Sequence, residues 1–309
     1  MPRKWNRKVL TLKREAGGYG VDATPTGSEA VLVYEAEYDP EYTYTSAKRV
    51  LPYLARSRGD VATKFGRIKG WVELAGAGAA GTVPAYGAIL RACSFAEVNN
   101  PGVDTQYNPI STGDESASAY WNMDGQLHKL LGLRGMISAI RFPANDIPQL
   151  GFEAVGLPQA PTDTAMATPD FTLWKPAIVV NKVNTPTFTI DGYAAVLRSL
   201  EVNLATVLEL RDLVNANDVQ ATDREPVGTV VIEDPTIAGK NFYPIVDANT
   251  RIVIQLIHGV GGGKIVQLDM PKVQLTNPKK TNVNGVAYLT MNLGLDPNAG
   301  NDELKITVK

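Results

Sequence analysis

The residues best placed to do chemistry form a glycine-rich run that ends in a lysine, at positions 259–264 (GVGGGK). A phosphate-binding loop needs four residues between its first glycine and the Gly-Lys pair, and then a Ser or Thr that binds Mg²⁺. Here three residues intervene and Ile265 follows the lysine. The run also separates two predicted strands, whereas a phosphate loop joins a strand to a helix. We therefore interpret it as a hairpin turn.

The other candidate groups are also poorly arranged for catalysis. Only two histidines occur, His128 and His258, each at or beside a predicted hairpin turn. Neither has a second His at ligand spacing, so a zinc site or a Ser-His-Asp triad would need long-range assembly. The adjacent acids at 114–115 and 233–234 fall at strand ends, and paired carboxylates without a cleft are weak evidence for acid–base chemistry. The sequence predicts no enzyme, no metal site and no cofactor.

Composition narrows the class of protein further. The chain has 309 residues, 44% hydrophobic and 20% charged, which is typical of a globular protein and excludes a disordered one. A net charge of −2 gives no bulk attraction to nucleic acid or to an anionic membrane. No apolar run approaches the ~20 residues of a membrane helix. The single cysteine, Cys93, excludes an intramolecular disulfide and fits a reducing compartment.

Basic residues are concentrated at the N-terminus, before the first acid at Glu15. Residues 1–27 are interpreted as an arm, and two alternatives stay open for its charges. The arm is either solvated and partly mobile, or it docks onto an acidic surface of a neighbouring copy. Its candidate contact residues are Arg3, Lys4, Arg7 and Lys8.

Hydrophobic periodicity predicts two β-rich units with the same layout, at 28–157 and 192–309, joined by an ordered proline-containing linker at 158–191. Strands are predicted at 30–37, 68–74, 116–123, 127–133, 135–142 and 149–157, and again at 193–204, 228–233, 251–257, 265–270 and 285–293. Asp124-Gly125 is a strong hairpin signal. Each unit also has one short predicted helix. The first follows Pro84 with a stripe of Tyr86, Ile89, Leu90 and Cys93, and the second covers 241–248.

Each unit also contains a long connection, at 38–66 and at 205–226. Connections beyond about 12–15 residues are uncommon in compact domains unless they have a function. The first is rich in aromatic rings, which a soluble monomer gains nothing from exposing. We interpret both as contact elements between subunits or between rings. The candidate residues are Tyr38, Tyr42, Tyr44, Arg49, Leu51, Tyr53, Phe65, Leu210 and Arg211.

Five stretches in collinear order resemble the major tail tube proteins of long-tailed, siphovirus-type bacteriophages. They are residues 19–27 (YGVDATPTG), 84–93 (PAYGAILRAC), 124–135 (DGQLHKLLGLRG), 144–156 (ANDIPQLGFEAVG) and 300–304 (GNDEL). The similarity spans nearly the whole chain. Their order carries the resemblance, because glycine, proline and apolar residues dominate each stretch.

This resemblance implies a mainly β fold built of tandem β-sandwich or partial-barrel units, each with a short flanking helix. It implies a structural virion protein, assembled in the host cytoplasm, whose copies form stacked rings and a tube that delivers the genome. The implied partners are further copies of the chain and the tail-tip, tape-measure and tail-terminator proteins. DNA would pass through the lumen without specific binding, and no membrane would be involved.

Duplication of the unit refines this expectation. Tube subunits with one unit form sixfold rings, so a chain with two units predicts a homotrimeric ring with pseudo-sixfold symmetry. The fallback is a hexamer in which the second half decorates the outside. The alternative functions are a β-sandwich binding or adhesion module, and a capsid-decorating protein. Polymerisation distinguishes a tube protein from a binding module.

Overall fold

The computed structural model describes residues 2–309, which fold into a predominantly antiparallel β structure with two short helices. In the first half these are β1 (Lys8–Arg14), β2 (Ala30–Val31), β3 (Val33–Ser46), β4 (Gly59–Glu73), α1 (Gly87–Ala92), β5 (Phe95–Asn100), β6 (Asp104–Pro109), β7 (Ala117–Met123), β8 (Gln126–Pro143), β9 (Gln149–Pro158) and β10 (Thr162–Asp163). In the second half they are β11 (Thr187–Ile190), β12 (Tyr193–Ala194), β13 (Leu197–Asn203), β14 (Thr206–Leu213), β15 (Ala216–Arg224), β16 (Val227–Glu233), α2 (Tyr243–Asp247), β17 (Arg251–His258), β18 (Val266–Val283), β19 (Val286–Leu295) and β20 (Lys305–Val308). The mainly β fold with short flanking helices is confirmed. No helix within residues 2–309 has the length and apolar character needed to span a membrane.

The two halves have the same strand order. In the first, antiparallel ladders connect β1, β7, β8, β9, β4 and β3 in that order. In the second, they connect β11, β17, β18, β19, β16 and β13. The short strands β10 and β20 pair with the starts of β8 and β18 respectively. The repeated layout read from the hydrophobic pattern is thus a repeated sheet topology.

The irregularities of the ladders coincide as well. Each β18 residue is numbered 140 higher than its β8 counterpart, so that Gln126 corresponds to Val266. The β7–β8 ladder shifts register opposite β8 residues 130–133, and the β17–β18 ladder shifts opposite β18 residues 270–273. A β-bulge bends the strand that contains it. Because the bulges fall at equivalent positions, the two sheets bend at the same places. With β13 numbered 164 higher than β3, the shift of β13 at 197–199 corresponds to 33–35, next to the shift of β3 at 34–37.

One hydrophobic core runs through both halves. It contains the predicted helix stripe of Tyr86, Ile89, Leu90 and Cys93, all of which are buried. The second helix begins as predicted with Pro244 in its first turn, where the missing N–H is tolerated, and it covers the core with Ile245 and Val246. Both helices therefore cap a sheet rather than expose a site.

The Asp124-Gly125 hairpin prediction is confirmed. Both residues have positive φ angles, 47° and 92°, the requirement of the two-residue turn that matches the right-handed strand twist. The turn joins β7 to β8, which is one continuous strand of 18 residues and not the two strands that were predicted over 127–142.

The prediction that 38–66 and 205–226 are long connections is wrong. Most of the first segment belongs to β3 and β4, with a loop only at 47–58, and the second is the hairpin β14–β15. Residues 39–46 and 59–64 of the first hairpin are mostly exposed on both faces, whereas the second hairpin packs one face on the first-half sheet through Val219, Leu208 and Leu210. The apolar–polar alternation that identifies a half-buried strand is then absent from the outer part of the first hairpin.

Three further elements differ from the predictions. Residues 8–14 are not part of a solvated arm, because they form β1, which pairs along its whole length with β7 and buries Leu10 and Leu12. The hairpin β5–β6 was not predicted, and β20 pairs with both β18 and β6. Strand β18 continues to Val283, well past the predicted end at 270. The prediction missed the end of the strand because its last residues are polar and half-exposed or exposed.

Candidate assembly surfaces

The chemically capable side chains are used inside the fold. His258 is buried, with Nδ1 2.8 Å from the hydroxyl of Thr185 and Nε2 3.0 Å from the carbonyl oxygen of Ile178. Burial lowers the pKa of this imidazole, so the neutral form is favoured. Burial raises the pKa of the Cys93 thiol far above its usual range, which leaves it unreactive. Both groups act as core side chains.

The remaining candidates give the same result. The ring of His128 lies 4.8 Å from that of Tyr38, and burial lowers its pKa. Glu15 is buried, but its carboxylate accepts hydrogen bonds of 2.6–2.8 Å from two serine hydroxyls and two backbone N–H groups. All its acceptor capacity therefore serves the fold. No cluster of three or more metal-ligating side chains occurs in the part of the chain that the structure describes.

The glycine-rich run is a turn between β17 and β18, as predicted. The backbone N–H of Gly78 donates a hydrogen bond of 2.7 Å to the carbonyl oxygen of Gly263. A Cβ atom at Gly263 would lie 2.3 Å from the carbonyl carbon of Gly78. This close backbone approach explains the glycine at position 263, and no phosphate needs to be invoked.

The β3–β4 hairpin presents most of the predicted contact residues. Tyr42, Tyr44, Arg49, Leu51 and Tyr53 are all exposed on it. The loop at its tip also carries Val50 and Leu54, whose side chains are fully exposed at 102% and 107%. Tyr38, at its base, is half-buried and packs against the core. The hairpin therefore ends in an apolar tip of residues 50–54 that nothing in the described chain covers.

Phe65, Leu210 and Arg211 are placed differently from the prediction. Phe65 is 3% exposed and forms a small second core with Val155 and Val219, against which Leu210 packs. Arg211 forms an ion pair of 3.5 Å across the β14–β15 hairpin. These residues hold the hairpin of the second half onto the sheet of the first half. Phe65 in particular has no surface left for another copy.

The N-terminal basic residues also find partners within the chain. Arg3 pairs with Asp163 at 2.7 Å, and Arg7 pairs with Asp124 at 2.8 Å. The backbone N–H of Lys4 donates to the same Asp124 carboxylate. The ammonium of Lys8 lies 3.9 Å from the centre of the Trp5 ring. Asp163, Asp124 and the Trp5 ring thus interact with Arg3, Arg7 and Lys8 respectively. From the sequence alone, these basic residues were candidates for contact with a neighbouring copy.

Two of the open grooves beside the sheets could not be predicted from the sequence. The larger, of about 800 Å³, lies beside β3 and is lined by Trp5, Leu32, Glu35, Trp71 and Phe171 among others. The other, of about 520 Å³, is lined by the start of β16, the end of β19 and the side chains of Arg224 and Glu303. Neither lining contains a nucleophile–base pair or a metal-ligand set.

Comparison with known proteins agrees with this arrangement of packing surfaces without a reactive centre. A family model described as phage tail tube protein matches residues 5–290. No curated protein matches the chain. The matched region includes the first sheet, the second sheet as far as the middle of β19, and the β3–β4 and β14–β15 hairpins, and it covers well over half of the sequence. The chain is therefore a member of the phage tail tube protein family.

Proposed function

We propose that this protein is the repeating subunit of a tail tube, in which rings of the chain stack into a hollow conduit for the phage genome. The observation that carries the proposal is the presence of two equivalent antiparallel sheets, joined edge to edge, in a chain of the tail tube family. A contact that repeats between equivalent units and closes produces a ring, and stacking of rings produces a filament.

The ring is proposed to contain three copies and six equivalent units. The sheet of the second half continues the sheet of the first through the β8–β13 ladder, so the second half is an in-line unit. In the alternative hexamer, the second half would lie on the outside of the ring. Its repeated sheet topology would then have no role in closing the ring. We keep 28–157 and 192–309 as the two units, with β1 and β11 added because each completes its own sheet.

This role implies a location and a set of partners for the protein. The protein is proposed to reside in the virion tail, after assembly in the host cytoplasm. Its partners are proposed to be its own copies and the tail-tip, tape-measure and tail-terminator proteins. The mildly acidic net charge of −2 suits a conduit that must not retain DNA, because retention depends on cationic contacts to phosphate.

Negative-stain electron microscopy of the concentrated protein, with class averages viewed down the particle axis, tests this function. We expect stacked hollow rings with threefold averages. Sixfold averages would favour the fallback hexamer. A uniform population of small particles, unchanged when a tail-tip complex is added, would instead favour the binding, adhesion or capsid-decorating alternatives.

The tips of the two long hairpins are proposed to contact the next ring. The β3–β4 tip exposes Val50, Leu51 and Leu54, and the β14–β15 tip exposes Leu213 and Val214. Equivalent projections on equivalent units would give six apolar contacts around one face of the ring. Each apolar side chain that becomes buried contributes about 1.5–3 kcal/mol, so the contacts together favour stacking.

The triple variant Val50→Ser, Leu51→Ser and Leu54→Ser should therefore form single rings and few or no tubes. Its thermal stability should stay close to that of the parent, because these side chains are already in solvent. Sedimentation and electron microscopy measure tube content. The matched control is Leu173→Ser with Val183→Ser, which removes exposed apolar groups elsewhere. Tubes of normal length from the triple variant would remove this tip from the inter-ring contact.

A further inference from the structure

The chain contains one ladder between its two equivalent sheets. Residues 140–143 of β8 pair antiparallel with residues 199–202 of β13. Across this ladder, Arg141 donates hydrogen bonds of 2.9 and 3.2 Å to the two carboxylate oxygens of Glu201. The end of β8, which β7 does not reach, is thus paired with the outer strand of the next sheet.

The counterparts of these two edges have no partner. Residues 280–283 of β18 correspond to 140–143 of β8, and residues 35–38 of β3 correspond to 199–202 of β13. Within residues 2–309, this part of β18 pairs only with β19, and β3 pairs only with β4. Unpaired strand edges are a hazard that proteins normally cover. The free part of β3 is therefore equivalent to the β13 side of the internal ladder, and the free end of β18 is equivalent to its β8 side.

The two free edges are complementary in charge. The edge of β3 exposes Glu35, Glu37 and Asp39, and the end of β18 exposes Lys279 and Lys280. The charges are arranged as in the internal ladder, where the acidic Glu201 also lies on the outer strand and the basic Arg141 on the long central strand. Glu37 has an ion pair with Lys69 that is exposed on both sides, and such a pair rearranges at little cost. Lys280 is itself 56% exposed, although its partner Asp234 is only 15% exposed.

The turn beyond the ladder has a counterpart as well. After β8, the backbone N–H of Ala144 donates a hydrogen bond of 2.8 Å to the carbonyl oxygen of Arg198. The equivalent positions are Asn284, at the β18–β19 turn, and Tyr34 of β3. The groove of about 800 Å³ lies beside this part of β3, where such a turn would enter.

We propose that residues 280–283 of β18 pair antiparallel with residues 35–38 of β3 in a second copy of the chain, in the register of the internal ladder. Thr281 then lies opposite Glu37, as Arg141 lies opposite Glu201. The β18–β19 turn enters the groove beside β3 of that copy. This inference rests on the proposed function, because repeated pairing between copies is what a ring of tube subunits requires.

The contact joins different surfaces of the two copies, so it can repeat around an axis. Internal and external ladders then alternate around the ring, and all of them share one geometry. Three copies supply three internal and three external ladders, which is the pseudo-sixfold arrangement. The free edges at residues 35–38 and 280–283 are then paired in every copy when the ring closes.

Cysteine cross-linking of the full chain tests the register. Residues directly opposite each other in an antiparallel ladder have Cβ atoms about 4.5–5.5 Å apart, close to the spacing of a disulfide. The native Cys93 is buried and does not compete. The test variant is Glu37→Cys with Thr281→Cys. The internal positive control is Arg141→Cys with Glu201→Cys, which should link within one chain.

Mild oxidation of the test variant should give covalent species of two and three chains on a non-reducing gel. The matched control is Glu37→Cys with Asn282→Cys, in which the second thiol lies on the opposite face of the strand, and it should lose these species. Rings in micrographs without the Glu37–Thr281 link, while the internal control links, would overturn the pairing and leave the tube function intact. Links without rings or tubes would support the pairing and overturn the tube function. Absence of both rings and links would overturn both.

Discussion

Deletion of residues 2–14 should prevent the protein from folding. Strand β1 pairs with β7 over its whole length and with β2, and it buries Leu10 and Leu12 at 1% and 4% exposure. Loss of a buried leucine side chain alone costs about 2–5 kcal/mol, against a total stability of about 5–15 kcal/mol for a typical domain. The deletion would also expose the edge of β7 to aggregation. Soluble yield and thermal unfolding by circular dichroism measure the effect.

Deletion of residues 2–7 is the matched control, because it leaves β1 intact. It removes Arg3, whose ion pair is exposed on both sides, and Arg7, which is 65% exposed, and ion pairs of exposed arginines contribute about 0–1 kcal/mol each. The shorter deletion should therefore fold, with a small loss of stability. Normal folding after deletion of residues 2–14 would show that β1 is dispensable and would revive the interpretation of the whole segment as an arm.

Arg224→Ala should be the most destabilising single substitution of a charged residue. Its side chain is 14% exposed, and it forms an ion pair with Glu303, which is 5% exposed. Arg224 also donates to the carbonyl oxygen of Ile110 at 2.9 Å and to the side-chain oxygen of Asn301 at 3.1 Å. Removal of one partner of a buried pair leaves an uncompensated charge and costs about 3–5 kcal/mol. Denaturant unfolding measures the loss.

Two further variants test whether the uncompensated buried charge causes the loss of stability. Arg58→Ala removes an arginine from an ion pair that is exposed on both sides, so we expect a change below about 1 kcal/mol. Arg224→Ala combined with Glu303→Gln should recover part of the loss, because no buried charge then remains. Equal effects of Arg224→Ala and Arg58→Ala would contradict this account of the site.

Much of the fold could be predicted where the pattern in the chain is local. The Asp124-Gly125 turn follows from two adjacent residues that tolerate positive φ, and the α1 stripe follows from side chains within two turns of helix. Half-buried strands such as β16 and β19 alternate clearly, because one face meets the core and the other does not.

The hairpins β3–β4 and β14–β15 could not be recognised in this way. The outer part of β3–β4 has both faces in solvent, so burial imposes no period of two on its sequence. The β14–β15 hairpin packs one face on a distant part of the chain, through Val219 and Leu210. The end of β18 was missed because its exposed lysines and asparagines show no apolar face. In β1, the basic residues Lys8, Lys13 and Arg14 concealed a strand whose central residues are buried.

The sequence by itself determined the fold class and the repeated layout, because both depend on composition or on spacing within short segments. Only the tertiary structure decided that Phe65 faces inward, that the N-terminal charges are compensated, and which strand edges stay free. These properties depend on contacts between residues far apart in the chain. A strand edge is paired or free according to which distant strand reaches it, and no local pattern records that.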